Sequence, residues 1–262
     1  NPRFGAMVRT MNMTINSMMA TAALLKNIPF FGDELQTIKS RYENYDTLIM
    51  RVCEGVDRGR MTNTTLQKQS TWQNAFIFTG EEPCTQSSSG GGVKNRVIEI
   101  ECDHVVVEDG NGVVNYINSH YGCAGREFIE QLKSRPDLAK EYQSIFKTLL
   151  ELSKSTEKQA MAMALMLLAD AVATRHIFKD NDVLDFEPVL PFLKSVAEID
   201  TAERAFAIIT DIIAENSDKF EQTYDKASNL ATWGKLNSDG SILINKTVLE
   251  RELGKVGFDF AA

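Results

Sequence analysis

The sequence predicts an α/β first half, an all-helical second half and a small hairpin-and-helix unit at the end. Three observations carry that expectation. Two short, nearly all-apolar runs, residues 28–32 and 72–78, have the composition of parallel strands buried on both faces. From about residue 107 onward the apolar residues recur with helical spacing. Near the end, Asn237-Ser238-Asp239-Gly240 separates two short runs of strand character, a strong hairpin signal.

Taken in order, residues 6–11 form a short strand. Thr14 or Asn16 then caps a helix of good helix formers reaching about Lys26. The run 28–32 is a buried strand that stops on two carboxylates, Asp33 and Glu34. A helix follows over 44–54, because Tyr45, Leu48, Ile49 and Val52 share one face. Residues 55–69 are polar and carry Gly and Arg. The strand over 72–78 ends at Thr79-Gly80-Glu81. Residues 86–92, QSSSGGG, are a flexible loop by composition. Residues 97–102 alternate and are rich in β-branched side chains, which predicts a third strand. Helices are expected near 126–152, 156–178 and 200–217. In the second, Met161, Leu165, Leu168 and Val172 make an apolar stripe assigned to bundle core. Strands over 232–236 and 241–245 and a helix over 246–255 close the chain, as in part of a winged-helix unit.

Composition narrows the function classes. The 262 residues carry 28 basic and 36 acidic side chains, a net charge of −8, which argues against a free-standing DNA-coating protein while leaving room for a local basic groove. Four cysteines stand 31, 18 and 21 residues apart without any CxxC. That excludes a zinc ribbon or disulfide scaffold and suits the reducing cytoplasm. The uncharged apolar stretch 159–169 is far short of a membrane span, and no signal peptide precedes it, so no membrane partner is expected.

The sharpest local pattern is IPFFGDEL, residues 28–35. A buried strand that delivers Asp-Glu to its carboxyl end suits nucleotide hydrolysis: Asp33 for the Mg²⁺ shell, Glu34 to orient or deprotonate the attacking water. The same residues also fit a simple helix cap with a solvated neighbour. FIFTGE, residues 76–81, places Thr79 at the end of a second strand, where a neutral hydroxyl can bond water or the γ-phosphate; equally, Thr79 fits a turn residue bonding its own backbone. Arg58 and Arg60 in DRGRM, and Lys94 and Arg96 in GGGVKNRV, stand next to glycines. Guanidinium groups there suit γ-phosphate contact across a subunit interface or a nucleic-acid backbone, and also plain surface charge. The 262 residues contain no GxxxxGK[ST], no GxSxG and no GxGxxG, and His104, His120 and His176 lack metal-site spacing. In HYGCAG, Cys123 fits a reactive thiol beside His120, but a partly buried, inert thiol in a Gly turn is the stronger expectation.

Residues 9–132 resemble the family called domain of unknown function 927, large proteins of plasmids, prophages and integrative elements described as helicase-like or primase-associated P-loop ATPases. The matching elements are VRTMNMTINSMMATAALLKNIPFFGDEL, EGVDRGRM, WQNAFIFTGEEP, GGVKNRVIEIE and HYGCAGREFIEQL, in that order. The resemblance implies a partial P-loop NTPase (RecA/AAA-like) sheet with helices over 1–125 and, less distinctly, an all-α extension over 126–225; the hairpin and helix signals add a partial winged-helix-like unit over 226–262. It puts Asp33 and Glu34 on a Walker B-like position and Thr79 on a sensor-like one. It matches Arg60 and Arg96 to recurring arginines, Arg96 being the better arginine finger. It implies ATP and Mg²⁺ as cofactors in a full-length parent, nucleic acid (DNA first) as partner, and a homo-oligomer. In the family a P-loop precedes the matching region, and a Gly-Asn-Pro-like turn opens it. This chain starts Asn1-Pro2-Arg3, so it is expected to be a piece that begins after the P-loop and is inactive alone. The alternative is a non-catalytic nucleic-acid-binding or protein-interaction module that keeps the fold as scaffold.

Overall fold

A computed structural model describes residues 7–38, 45–61, 64–105, 107–222 and 232–258; the expected turn at residues 1–3 lies outside them. The chain is mixed α/β, with two small sheets and many helices. It divides into two compact units, residues 1–85 with 92–195, and residues 86–91 with 196–262.

The first unit opens with three parallel strands in the order β1 (Val8–Thr10), β2 (Phe30–Asp33), β3 (Phe76–Phe78). Helix α1 (Ile15–Leu25) makes the crossover from β1 to β2 and starts where expected, with Thr14 Oγ1 accepting from the Ser17 amide at 3.2 Å. Helix α2 (Asp46–Cys53) buries Leu48, Ile49 and Val52, and Tyr45 joins them, so the face read from the periodicity is the face that packs. β2 runs down the middle of the sheet. Phe30 is fully buried, its ring centroid 5.5 Å from Phe76 and 6.2 Å from Phe78. Gly32 has to be glycine: a Cβ there would stand 2.8 Å from the Phe78 ring.

The expected strand over 72–78 is shorter than its apolar run. Trp72 is buried for another reason, donating its indole N–H to the Val52 carbonyl at 2.8 Å at the end of α2. The polar stretch 55–69 folds back on itself through antiparallel bridges Val56–Thr71 and Met61–Leu66. Residues 97–102 do not form the expected third strand. The Val97 carbonyl is taken by Gln159 Nε2 at 2.8 Å, and among the described residues no strand pairs with this segment. β-branched alternation describes a half-buried extended segment, and here the segment stays single.

A short α3 (Gly91–Lys94) precedes α4 (Gly110–Ser119), α5 (Cys123–Ser134), α6 (Leu138–Ser153) and α7 (Glu157–Ala173). The segment expected as one helix over 126–152 is split at Arg135-Pro136, where proline cannot donate its amide and disfavours helix in the residue before it. α6 and α7 pack through Leu149, Ala160, Met163, Ala164 and Leu167. The stripe assigned to core is therefore largely displaced: Met161 and Leu165 are exposed and Leu168 is half-buried, while Val172 is buried as expected. α7 is apolar on nearly every side, so spacing alone could not pick a face; the small residues Ala160 and Ala164 let α6 come close and decide it. With its terminal π-turn (Thr174–Phe178) the helix spans 22 residues and is, by length and composition, the one described helix able to cross a membrane. A core helix meets the same test, and this one has a buried face.

A polar tie holds the coil segments of this unit. Lys194 Nζ donates to Glu99 Oε2 at 2.6 Å, and Thr85 gives Glu99 its amide at 2.9 Å and its hydroxyl at 2.6 Å. Half-burial alone would raise the Glu99 pKa; these three donors and the Lys194 charge instead hold it at about 2. Burial, then the Glu99 carboxylate, push the neighbouring Cys84 thiol up to about 12. The Glu99 contribution to stability is complete above the unfolded-chain value of 4.5 and is lost as pH falls through about 2. Thermal melts between those values should show a steeper acid loss in the native chain than in Glu99→Gln.

In the second unit, α8 (Val196–Ile199) and α9 (Thr201–Glu215) precede a three-stranded sheet, β4 (Phe220–Gln222), β5 (Gly234–Leu236), β6 (Ile242–Ile244), with β4–β5 parallel and β5–β6 antiparallel. The hairpin around Asn237–Gly240 and helix α10 (Lys246–Lys255) stand where the turn signal and periodicity put them; β4 does not follow from any local signal. The loop 86–92, expected to be flexible, instead starts α3 at Gly91 and is gripped before it: Arg204 donates to the Ser87 carbonyl at 2.6 Å and the Ser89 carbonyl at 2.9 Å, and Ser89 is buried.

Candidate functional site at the sheet edge

All three strands of the first sheet run the same way, so their carboxyl ends share one edge, the side on which open α/β sheets bind ligands. Register aligns Thr10 with Asp33 and Gly32 with Phe78, which sets Thr79 one residue past the ladder. The Thr79 amide donates to the Gly32 carbonyl at 3.0 Å, and the Thr79 carbonyl accepts from the Leu35 amide at 2.8 Å. Between these two backbone bonds the Thr79 hydroxyl donates to Asp33 Oδ1 in a short side-chain hydrogen bond. Asp33 and Thr79 come from residues 46 apart in sequence and meet only because β2 and β3 are neighbours.

Glu34 follows directly in a left-handed backbone conformation, φ +60°, rarely adopted by a non-glycine residue. Such a conformation costs of order 1–2 kcal/mol and persists where the surroundings impose it. Here the Leu35–Thr79 bond and a 3₁₀ turn over Leu35–Ile38 impose it. Glu34 is therefore neither a helix residue nor part of the strand; it sits on a strained corner beside the held carboxylate.

The remaining candidates lie elsewhere. Arg60 Nη2 stands 3.7 Å from Asp57, which also faces Arg51 at 3.9 Å, and its backbone belongs to the antiparallel ribbon, through Gln67 N to Arg60 O at 2.8 Å. Arg96 Nη1 donates to the Gly92 carbonyl at 2.5 Å, one turn back. Neither arginine has a hydrogen bond or ion pair to Asp33, Glu34 or Thr79 among the described residues. Cys123 is exposed at the start of α5, a correction to its expected partial burial, and His120 stacks on Tyr116 at 4.4 Å.

Two residues of the edge escape a reading of motifs. Thr10 ends β1 directly opposite Asp33 and accepts from the Asn12 amide at 3.3 Å; the signal was present, since VRT ends on a hydroxyl as FIFT does. Gln36 Oε1 is buried without a hydrogen-bond partner, and a Cβ on Gly80 would stand 3.3 Å from it. Nothing in the sequence marks Gln36, because the 3₁₀ turn that brings it to Gly80 depends on the conformation of Glu34. Among the described residues no three His, Cys, Asp or Glu side chains form a metal cage. What the edge offers is a single carboxylate fixed by a hydroxyl, with a second carboxylate beside it.

The second unit has a different character. Residues 200–262 hold eleven Asp and Glu against seven Lys and Arg. Three of those cations are paired with carboxylates on α10 itself: Lys246 with Glu250 at 3.7 Å, and Arg251 and Lys255 with Glu252 at 2.8 and 2.7 Å. Lys219 lies 4.1 Å over the Trp233 ring, and Arg251 also faces that ring at 5.3 Å.

Comparison with known proteins adds two findings. No curated protein sequence matches the chain. A family model described as the Cch helix turn helix domain matches residues 200–262, outside the stretch 9–132 that carries the resemblance to domain 927, so that resemblance stands on its own motifs. Among solved structures, SCCmec type IV Cch, described as an active helicase, is similar with a TM-score of 0.74 at 19% identity, over 97% of this chain and 49% of that one. The chain thus spans about half the length of the structure it matches, shares its fold, and ends in a segment similar to the Cch helix-turn-helix domain.

Proposed function

We propose that this chain is part of a nucleic-acid-dependent ATPase of the helicase class, acting in the cytoplasm in the replication of a mobile element. The observation that carries the reading is the hydrogen bond from Thr79 to Asp33 at the carboxyl edge of a parallel sheet, with Glu34 on the next, strained position. The similarity of fold to a helicase, and of the C-terminal segment to a helix-turn-helix domain, support the same class.

The residues present fit one side of a Mg²⁺–nucleotide complex whose other ligands are phosphate oxygens, waters and a P-loop, a motif absent from these 262 residues. Mg²⁺, when bound, neutralises charge developing on the phosphates. Asp33 would hold its water shell, with Oδ1 already engaged by Thr79 so that the carboxylate plane is set before nucleotide arrives. Thr79 has one proton and spends it on Asp33, which leaves its oxygen as an acceptor. It therefore suits the attacking water, a donor, better than the γ-phosphate, which only accepts. Glu34 supplies the carboxylate that takes the proton from that water. Among the described residues neither Arg60 nor Arg96 bonds to Asp33, Glu34 or Thr79; in this reading Arg60 contacts the γ-phosphate of the nucleotide of a neighbouring subunit in a homo-oligomer, and Arg96 is left for nucleic acid. The division into a partial ATPase core over 1–125, a helical extension over 126–225 and a winged-helix-like unit over 226–262 belongs to the same proposal.

The test is ATP turnover, with and without single-stranded DNA, in the protein that carries this chain together with a phosphate-binding loop. Thr79→Val keeps the shape and removes the hydroxyl, and should cut turnover by about 10–100-fold. Thr79→Ser should restore most of it. Equal turnover in all three would remove Thr79 from the site. DNA binding with no turnover in any form would favour the second reading, a scaffold that binds without hydrolysis.

A further inference from the structure

A second concave feature of the first unit lies away from the sheet edge, between the end of α2, the turn after α3 and the first turn of α7. This cleft of about 340 Å³ is lined by Cys53, Asn95, Arg96, Ile98, Lys158 and Gln159 among others. Its formal charge is one-sided, although the buried Gln159 Oε1 in its wall is an acceptor without a partner among the described residues. Arg96 and Lys158 both face it, and neither is paired with a carboxylate among the described residues. Arg96 is braced through Nη1 on the Gly92 carbonyl, which leaves the rest of its donor fork uncommitted. Asn95 is fixed by a short hydrogen bond from Thr156, the cap of α7, and Gln159 ties the two segments by donating to Lys94 O at 2.9 Å and Val97 O at 2.8 Å. The cations are thus mounted on a braced wall, with the positive end of the seventeen-residue α7 behind Lys158.

We propose that this cleft binds a backbone phosphate of a single-stranded nucleic acid, with Arg96 and Lys158 as its two cationic contacts. The assignment rests on the nucleic-acid part of the proposed function and places that contact in the first unit. Two features favour a strand over a free nucleotide. The cleft offers no aromatic side chain on which a base could stack, and only Ile98 and Ala162 as apolar lining. The segment similar to a helix-turn-helix domain is net acidic, with three cations of α10 already paired, so it adds little of the sequence-independent phosphate attraction that nucleic-acid binding needs. A non-specific strand contact has to be supplied elsewhere, and this cleft supplies two cations, neither paired with a carboxylate among the described residues, within one concavity.

The experiment is fluorescence anisotropy of a labelled oligothymidylate with the 262-residue chain, repeated for Lys158→Ala, Arg96→Ala, Arg96→Lys and the double alanine variant. Circular dichroism melts check that each is folded. The proposal expects the double variant to bind about tenfold or more weakly, and the slope of log affinity against log salt to shrink by about 0.7, the value for one lost single-strand phosphate contact. Arg96→Lys should keep most of the slope. An unchanged slope in folded variants overturns the assignment. Loss of binding to a fluorescent ATP analogue with oligothymidylate binding intact would assign the cleft to free nucleotide and also overturn it. A native chain that binds no oligonucleotide would instead count against the proposed function itself.

Discussion

Glu34→Gln is expected to reduce ATP turnover by at least about a hundredfold while leaving ATP binding intact. The two side chains have the same length and nearly the same shape, so the corner after β2 keeps its form and the Asp33–Thr79 bond is untouched. What is lost is the negative oxygen that accepts the proton of the attacking water. An effect on turnover without an effect on affinity is the signature of a group that acts only in the transition state. Phosphate release gives the rate and a fluorescent ATP analogue gives the affinity, both in the protein carrying this chain with a phosphate-binding loop. Asp33→Asn should behave differently and weaken Mg²⁺-dependent nucleotide binding as well, because its carboxylate is the one assigned to the metal's water shell. Turnover unchanged in Glu34→Gln would end the general-base role.

Phe30→Ala should cost about 3–5 kcal/mol of folding stability, the largest loss expected of any single truncation in the sheet. Phe30 is fully buried in the central strand, and its ring holds those of Phe76 and Phe78 at 5.5 and 6.2 Å. Removing it leaves a cavity against the two strands whose ends meet at Asp33 and Thr79. Phe178→Ala is the control of like chemistry: that ring is 65% exposed, and its loss should stay within about 0.5 kcal/mol. Urea unfolding of both variants makes the comparison. Equal losses would mean that the sheet is not the core described.

The parts legible in the sequence share a physical property: they are decided locally. α1 and α10 begin at side-chain caps, the β5–β6 hairpin turns on Asp-Gly, and the buried face of α2 follows from four residues at helical spacing. The pairing of Asp33 with Thr79 was anticipated only as two strand ends; that they touch depends on β2 and β3 being neighbours, which no local signal states. What failed depends on partners remote in sequence. Residues 97–102 have strand composition but meet a glutamine side chain from α7 instead of a strand. The buried side of α7 is chosen by which side admits α6, and apolar residues surround that helix. β4 has no turn signal and exists because β5 gives it an edge. Gln36 reaches the site through the backbone conformation of one neighbouring residue, which residue type does not encode.

The grip of Arg204 on the carbonyls of Ser87 and Ser89 bears on where this chain can be cut. The C-terminal unit is discontinuous: it borrows residues 86–91 from the first half, and the matching helix-turn-helix segment starts at residue 200, well past that loop. A protein severed after residue 195 would leave Arg204 without the Ser87 and Ser89 carbonyls, holding only Asp200 and Thr201 of its own helix, and would leave the other piece with an ungripped serine-glycine loop. Three covalent crossings, not one, join the two units. A module boundary drawn from sequence similarity is therefore not a folding boundary here, and neither unit can be inherited, exchanged or expressed whole without a piece of chain that lies inside the other.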